Sequence, residues 1–504
     1  MELKALSKLH FQRLFTRDVK TDCIAYSLMG GIFIVRFIYI GSMNLVADEA
    51  YYWDWSRHPA FGYFDHPPMV AWLIFAFVKL LGATPLGVKC GAIVCSLFAS
   101  VCAYLLARKY IHRRLSLILY VLLSSSVVLY GIGSLLATPD VPMVACWSMG
   151  MLAAYKMIFE HSPYAWIGLG CAIGFGMMSK YSFALFIVSL FIFLLCFKGH
   201  RNLLVSRHFL GALFIAVVIF FPNIFWNSHN DWVSVLFQLR HGIGLTGFPR
   251  WNFLGDYFGG QAGLLSIFPF FIILWSAVHE LRFHMNEAKR AFLLLFFAVP
   301  FLFFAFSSLQ KRVEPNWSCG AYISGLILIP LLLESIKSPF KKILQWIVGF
   351  SLIISVSAVV VIMAHIKHPF LPLPAIMDPT MQLHGWKHVN EGMQSLRESI
   401  DPSGGLRVCT NSYQDAALFA FHLPDHPSVL SLNINSRANQ YSLWGEHEQL
   451  KGQKVLFISG IDDSCTLHAS VSSGFDSLKC AGIVARRPDD RIKILYGFFI
   501  AKVR

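Results

Sequence analysis

Residues 47–68, ADEAYYWDWSRHPAFGYFDHPP, gather the carboxylates Asp48, Glu49, Asp54 and Asp65 with Arg57, His58, His66 and seven aromatic residues. A carboxylate can take the proton of an attacking hydroxyl. Cations can steady an anionic leaving group, and aromatic faces can hold sugar rings or the first isoprene units of a lipid. A reaction at a lipid surface would use all three. If Asp48 and Glu49 sit on a helix they diverge by roughly 100°, so they cannot address one acceptor together. Asp48 is expected to be the base and Glu49 a hydrogen-bonding neighbour; the plain alternative is a pair of solvated caps at a span end. Asp65-His66-Pro67-Pro68 reads as a helix start, with Asp65 as N-cap and proline in the first turn. Such an N-terminus favours anions, so His66 could touch a phosphate there.

These residues follow the first long apolar run, about residues 24–46, and the chain as a whole is 56% apolar and only 14% charged. A span needs roughly 17–25 predominantly apolar residues. Candidate spans lie near 24–46, 88–107, 115–137, 141–159, 164–179, 182–197, 208–226, 262–279, 291–308, 318–335 and 343–364. The sequence therefore predicts a polytopic α-helical membrane protein of about 11 transmembrane helices. The apolar piece 69–82 is short and is assigned to the membrane face. The first run is long, and no small-residue cleavage site precedes Asp48, so it reads as an uncleaved anchor rather than a signal peptide.

Charge orients the spans. One set of connecting segments holds 19 Lys and Arg and the opposite set 8. The positive-inside rule makes the richer set cytoplasmic, which puts the N-terminus inside and the C-terminus outside. The net charge of +14 is then mostly inner-face anchoring, and without a concentrated basic patch nucleic-acid binding is not indicated. The outward segments are the first loop, 138–140, 179–181, 226–261 and 310–317, so the unusual polar residues are expected at one face. Lys180 lies between two apolar runs, where a cation is costly unless paired or at the interface; phosphate binding and snorkelling are both open for it. Lys311 and Arg312 break the outside-poor trend and join Arg57, Asp65, His66 and Lys180 as candidate donor- or phosphate-binding residues. Arg36, in mid-span, needs a partner.

From about residue 365 the composition turns polar. Residues 365–504 have the length of an ordinary domain. Strand-like runs at 407–410, 428–432, 454–458 and 492–501 alternate with helix-like segments, which predicts a soluble C-terminal α/β domain. By the charge rule it is periplasmic, where a Cys465–Cys480 disulfide is open alongside free thiols. The expected division is thus 1–364 for the transmembrane domain and 365–504 for the periplasmic one.

Metal signals are weak: HExxH and CxxC motifs are absent from the sequence. No cofactor is assigned; a divalent cation at His58, His66 and Asp65 is the one open arrangement, and no metal residue is named. Without a Walker loop, ATP-driven transport has no support. Outside the membrane there is no nucleotide supply, so a sugar transferase on that face would use a lipid-carried donor whose phosphate is the leaving group.

The segments DEAYYW and GYFDHPPMVAWL, then GFGMMSKYSFAL, PNIFWNSHNDWVSVLFQLRHG and RVEPNW, resemble bacterial integral-membrane glycosyltransferases of the GT-C type. These are relatives of the protein O-mannosyltransferases and of the lipid A aminoarabinose transferase. MQLHGWKHVN and SYQDAALFAFHLPDHPSVLSLNINSRANQYSLW are similar to the soluble domain of the bacterial group. The resemblance implies inverting transfer from a polyprenyl-phosphate sugar, with Asp48 at the catalytic acidic position and Glu49 beside it. The aminoarabinose transferases carry Lys before the paired prolines where this chain has His66, so neither that residue's role nor that sugar is carried over. The expected partners are an undecaprenyl-phosphate sugar donor, membrane lipid, and an envelope acceptor such as lipid A or lipopolysaccharide core. A protein acceptor is the near variant, and a lipid-linked sugar flippase is the alternative from another class.

Overall fold

A computed structural model describes residues 2–242, 248–337, 339–374, 377–402, 405–462, 464–489 and 492–504. The chain divides into two compact units. The first comprises Met1–Ile38, His66–Met69 and Gly91–Ile362, and the second Tyr39–Asp65, Val70–Cys90 and Met363–Arg504.

Among the described residues six helices are long and apolar enough to cross a bilayer: Val19–Ile40, Pro85–Ala107, Asp140–Phe159, Arg207–Ser228, Ala288–Ser308 and Phe340–Lys367. Two broken pairs also qualify: Arg114–Ser126 with Val128–Leu135, bent by 69°, and Trp251–Leu265 with Ile267–Phe283, bent by 109°. Four shorter apolar helices, Met69–Leu81, Ala165–Ser179, Tyr181–Cys196 and Ala321–Ser335, complete the apolar set among the described residues. The continuous runs expected at 115–137 and 262–279 are thus the two that break. At the second break Ser266 takes a positive φ of 67°, a conformation a non-glycine residue holds only when its surroundings fix it. The Ser355 hydroxyl donates to the Ser266 hydroxyl at 3.0 Å. The segment expected as a loop at 226–261 is largely helical, through Arg207–Ser228, Val233–Gly242 and Trp251–Leu265; its residues 243–247 lie outside those described. Gly255, Gly259 and Gly260 made the last of these read as loop.

In the first unit, Trp147 packs edge-on against Phe183 and Phe186 at 5.5 and 5.3 Å. Gly170 and Gly174 let helix Ala165–Ser179 approach helix Arg207–Ser228 closely. A Cβ on Gly170 would lie 2.6 Å from the Ala212 carbonyl oxygen, and one on Gly174 2.6 Å from Ile219 Cβ. Small residues four apart are the usual means of close helix contact in lipid. Helices Arg207–Ser228 and Phe340–Lys367 keep Phe214, Phe221, Trp346 and Ile353 exposed, as lipid-facing surfaces require.

In the second unit, residues 363–504 build a five-stranded mixed sheet from β1 (Arg407–Thr410), β2 (Val429–Ser431), β3 (Lys454–Ile461), β4 (Phe475–Asp489) and β5 (Ile492–Val503). The order is β2-β1-β3-β5-β4. β1 runs parallel to β2 and β3 (Cys409 opposite Leu430 and Phe457), and β5 is antiparallel to β3 and β4. Four of these strands lie where the sequence predicts them. β4 was not predicted, because its bulges between Phe475 and Ser477, Cys480 and Gly482, and Arg486 and Asp489 break the two-residue alternation. Cys465 and Cys480 form a disulfide.

Candidate active site

The first apolar helix ends at Ile40, and Asp48 and Glu49 lie in the first turn of a separate ten-residue helix, Ala47–Ser56. The helix pitch separates the acidic pair as the geometry requires. Glu49 is fully buried. It accepts from the Val46 backbone N–H at 3.0 Å, which ties down the helix start, and from the ammonium of Lys89, itself fully buried. Asp48 has an exposed side chain in a recess crowded by protein. Desolvation there pushes its carboxyl above the ordinary carboxylate range; Asp65 and Glu49 add to the rise, while a Gln414 hydrogen bond and the Arg437 charge oppose it. It is the member of the pair that can meet a substrate.

The remaining charges of this segment are bound up with residues 363–504. Asp65 does not cap the next helix, which starts at Met69. It accepts instead from the Tyr51 hydroxyl and from Arg437 Nη1, both at 2.9 Å. Tyr51 in turn accepts from the Gln440 backbone N–H at 2.7 Å, and its ring lies 4.6 Å from that of Tyr413. Asp54 accepts from Arg57 at 3.0 Å and from the Tyr441 hydroxyl at 2.6 Å. Arg57 also donates to the carbonyls of His426 at 3.0 Å and Pro427 at 3.3 Å, and lies 5.0 Å over the Trp53 ring. The physical reason is economy of donors: a carboxylate or guanidinium brought out of water needs its lone pairs and protons satisfied, and the tail supplies the partners. The loop that reads as wholly reactive in sequence is mostly a seat, with Asp48 left accessible.

His66, Lys180, Lys311 and Arg312 belong to the first unit. His66 Nδ1 lies 3.5 Å from Gln238 Nε2. Lys180 is buried and donates to Asp140 Oδ1 at 2.6 Å; Asn316 Nδ2 donates to Oδ2 of the same carboxylate at 2.7 Å. Lys311 donates to the Arg240 carbonyl, and Arg312 lies 3.6 Å from Glu314 on the exposed surface. Sequence reasoning missed Lys89, Asp140, Asn316 and Arg437 as polar anchors. Lys89 and Asp140 left a signal: each is a lone charge beside an apolar run, facing a requirement for an opposite charge elsewhere in the chain.

Among the described residues, the ligand atoms of His279, Glu280 and His284 lie within 4.8 Å of one another. Arg290 donates to both oxygens of that Glu280 at 2.9 and 3.2 Å, so the carboxylate already has its cation.

Multi-pass apolar helices with a small mixed sheet make up a fold of the GT-C type, like that of the solved structures named below, and the resemblance read from the sequence is borne out. Residues 65–226 match the family model for dolichyl-phosphate-mannose-protein mannosyltransferase. The chain is 23% identical over 328 residues to the lipid A galacturonosyltransferase RgtD of Rhizobium johnstonii, covering 63% of this chain and 64% of that one. It is 26% identical over 233 residues to the lipopolysaccharide core galacturonosyltransferase RgtA of the same organism, 43% of each chain. Over 266 residues it is 25% identical to undecaprenyl phosphate-alpha-4-amino-4-deoxy-L-arabinose arabinosyl transferase 1 of Pseudomonas fluorescens, covering 49% of this chain and 44% of that one. The chain therefore spans less than two thirds of the length of each of these curated relatives. Crystal structures of ArnT from Cupriavidus metallidurans, apo and bound to undecaprenyl phosphate, match with TM-score 0.63 over 94% of this chain and 97% of theirs, at 13% and 14% identity.

Proposed function

We propose that this protein is an inner-membrane glycosyltransferase that moves a sugar from undecaprenyl phosphate to lipid A or lipopolysaccharide core. The observation that carries the reading is Asp48, an accessible carboxylate with raised proton affinity, in the first turn of the helix that follows the first apolar helix. Asp48 takes the proton of the acceptor hydroxyl, and the acceptor oxygen attacks the anomeric carbon. The bond from that carbon to the phosphate oxygen breaks, and the electron pair leaves with undecaprenyl phosphate. Inversion follows from a single displacement. Glu49 acts through Lys89 by fixing the helix start.

Arg312, Lys311 and His66 are assigned to the donor phosphate, whose charge cationic donors can hold. Lys180 and Arg57 are assigned lesser parts in it: Lys180 is buried against Asp140, and Arg57 is held by Asp54 and by the carbonyls of His426 and Pro427. Residues 365–504 form the periplasmic domain in this reading, with the N-terminus cytoplasmic. The Cys465–Cys480 disulfide supports that placement, because such bonds persist in oxidising compartments. The names of the relatives support the lipid A and core acceptors, and the family description keeps a protein hydroxyl as the second acceptor class. Mass spectrometry of lipid A, core oligosaccharide and envelope proteins from a deletion strain tests the reading. Loss of one sugar from lipid A or core is expected; loss from a protein alone would move the acceptor to the second class, and an unchanged envelope would overturn both.

A further inference from the structure

Helix Val19–Ile40 carries Lys20 at its first turn and Arg36 well inside the span, where Arg36 is 9% exposed. Its Nη2 donates to the Ser125 carbonyl at 2.8 Å, and its Nη1 to the Ser96 hydroxyl at 3.5 Å. Both acceptors are neutral, and no carboxylate among the described residues lies within ion-pair distance. Elsewhere in the same unit Lys180 is paired with Asp140, and Arg290 with Glu280. A guanidinium held in an apolar span with neutral acceptors alone is costly, and such a residue marks a functional site by default.

Arg36 borders a cavity of about 280 Å³ whose wall also includes Ser100, Ser124, Ser134, Asp140 and Asn316. The three serines donate to backbone carbonyls, of Ser96, Val121 and Gly131, at 2.9, 3.2 and 3.4 Å. Each keeps oxygen lone pairs as acceptors. Asp140, neutralised by Lys180, has further lone pairs to offer. Most of the wall is apolar, and its small polar part offers these hydrogen-bond acceptors and one guanidinium. A sugar ring brings hydroxyl donors to such acceptors, and a carboxylate is the planar two-oxygen partner that fits a guanidinium fork. The volume is near the lower limit of small-ligand pockets, roughly 300 Å³. It accommodates one sugar ring rather than a lipid A headgroup.

We infer that this cavity takes the sugar of the donor, and that the sugar bears a carboxylate held by Arg36: a hexuronic acid, not a neutral hexose or an amino sugar. An ammonium on the sugar would meet Arg36 as a like charge. The inference rests on the transferase reading above and names its donor class.

The test uses the full chain in lipid nanodiscs, total envelope lipid and glycan as acceptor, and two donors of one configuration, undecaprenyl-phosphate galacturonic acid and undecaprenyl-phosphate galactose. The uronosyl donor is expected to be preferred by about 100-fold or more in kcat/KM, because a site built for a polar group rejects an analogue lacking it. Arg36→Gln is expected to bring that ratio toward unity by slowing uronosyl transfer far more than galactosyl transfer. Equal or reversed preference in the wild-type protein overturns the inference and leaves the transferase reading standing, as does an unchanged ratio in Arg36→Gln. Transfer of neither donor overturns this inference alone, because the transferase reading leaves the sugar open and stands or falls on the envelope of the deletion strain. The wild-type ratio decides the matter even where the variant does not fold.

Discussion

Two adjacent acids stand in opposite surroundings in helix Ala47–Ser56, Asp48 exposed and Glu49 buried, and the proposed role of each predicts a different response to substitution. Asp48 has its carboxyl raised by desolvation, so the acid limb of its pH–rate profile should lie above the ordinary aspartate value of about 3.9. The sign follows from its role: a base acts deprotonated, so kcat/KM falls as pH drops through the raised pKa. Measured kcat/KM across pH with a limb at or below the ordinary value would remove the desolvated base. Ionising Asp48 is disfavoured in the fold, so an Asn there should not lower the melting temperature. Glu49 and Lys89 form a fully buried ion pair. Lys89→Met leaves a buried carboxylate without its cation, and a loss of about 3–5 kcal/mol is expected by thermal or denaturant unfolding. A melting curve unchanged from wild type would exclude the pair as a structural anchor.

At the scale of elements, the legible parts are those whose local pattern also decides their tertiary place. β1, β2, β3 and β5 are short apolar runs, read correctly from sequence, and the acidic pair splits as helix pitch demands. β4 escaped because bulges break its alternation. The kinks near Val127 and Ser266 escaped because hydropathy measures composition, not direction. Arg437 escaped for another reason: its partner Asp65 is 372 residues away, and nothing local in an exposed-looking loop announces a long-range pair. Two predictions belong here. Replacing Cys465 and Cys480 by Ser opens a loop with a sequence separation of 15. The tail sheet should lose about 3 kcal/mol, read as a lower denaturant midpoint for a tail-specific probe, and an unchanged midpoint under oxidising conditions would show that the bond does not form. Gly174→Leu pushes helix Ala165–Ser179 away from Arg207–Ser228. Its yield in detergent should fall sharply, whereas Gly199→Leu, with open space at its Cβ, should express normally.

At the scale of the whole molecule, composition alone placed the chain in the membrane, and the fold agrees with that class. The number of spans is the weaker part of such a reading. Among the described residues the eleven apolar runs become six long helices, two bent pairs and three short apolar helices, with Met69–Leu81 the separate short piece, because a run of suitable composition can end early, kink or stay short. The candidate base could be singled out in the sequence; its surroundings could not, since most polar groups of residues 47–65 serve to seat residues 363–504. That distinction makes Asp48 the decisive position. The most direct test measures sugar transfer from undecaprenyl-phosphate galacturonic acid to envelope acceptors by purified wild-type and Asp48→Asn protein, with donor affinity measured alongside. The expected result is a fall in kcat of about 10²- to 10⁴-fold, with donor affinity and melting temperature retained. Transfer by Asp48→Asn at the wild-type rate would contradict the assignment of Asp48 as the base.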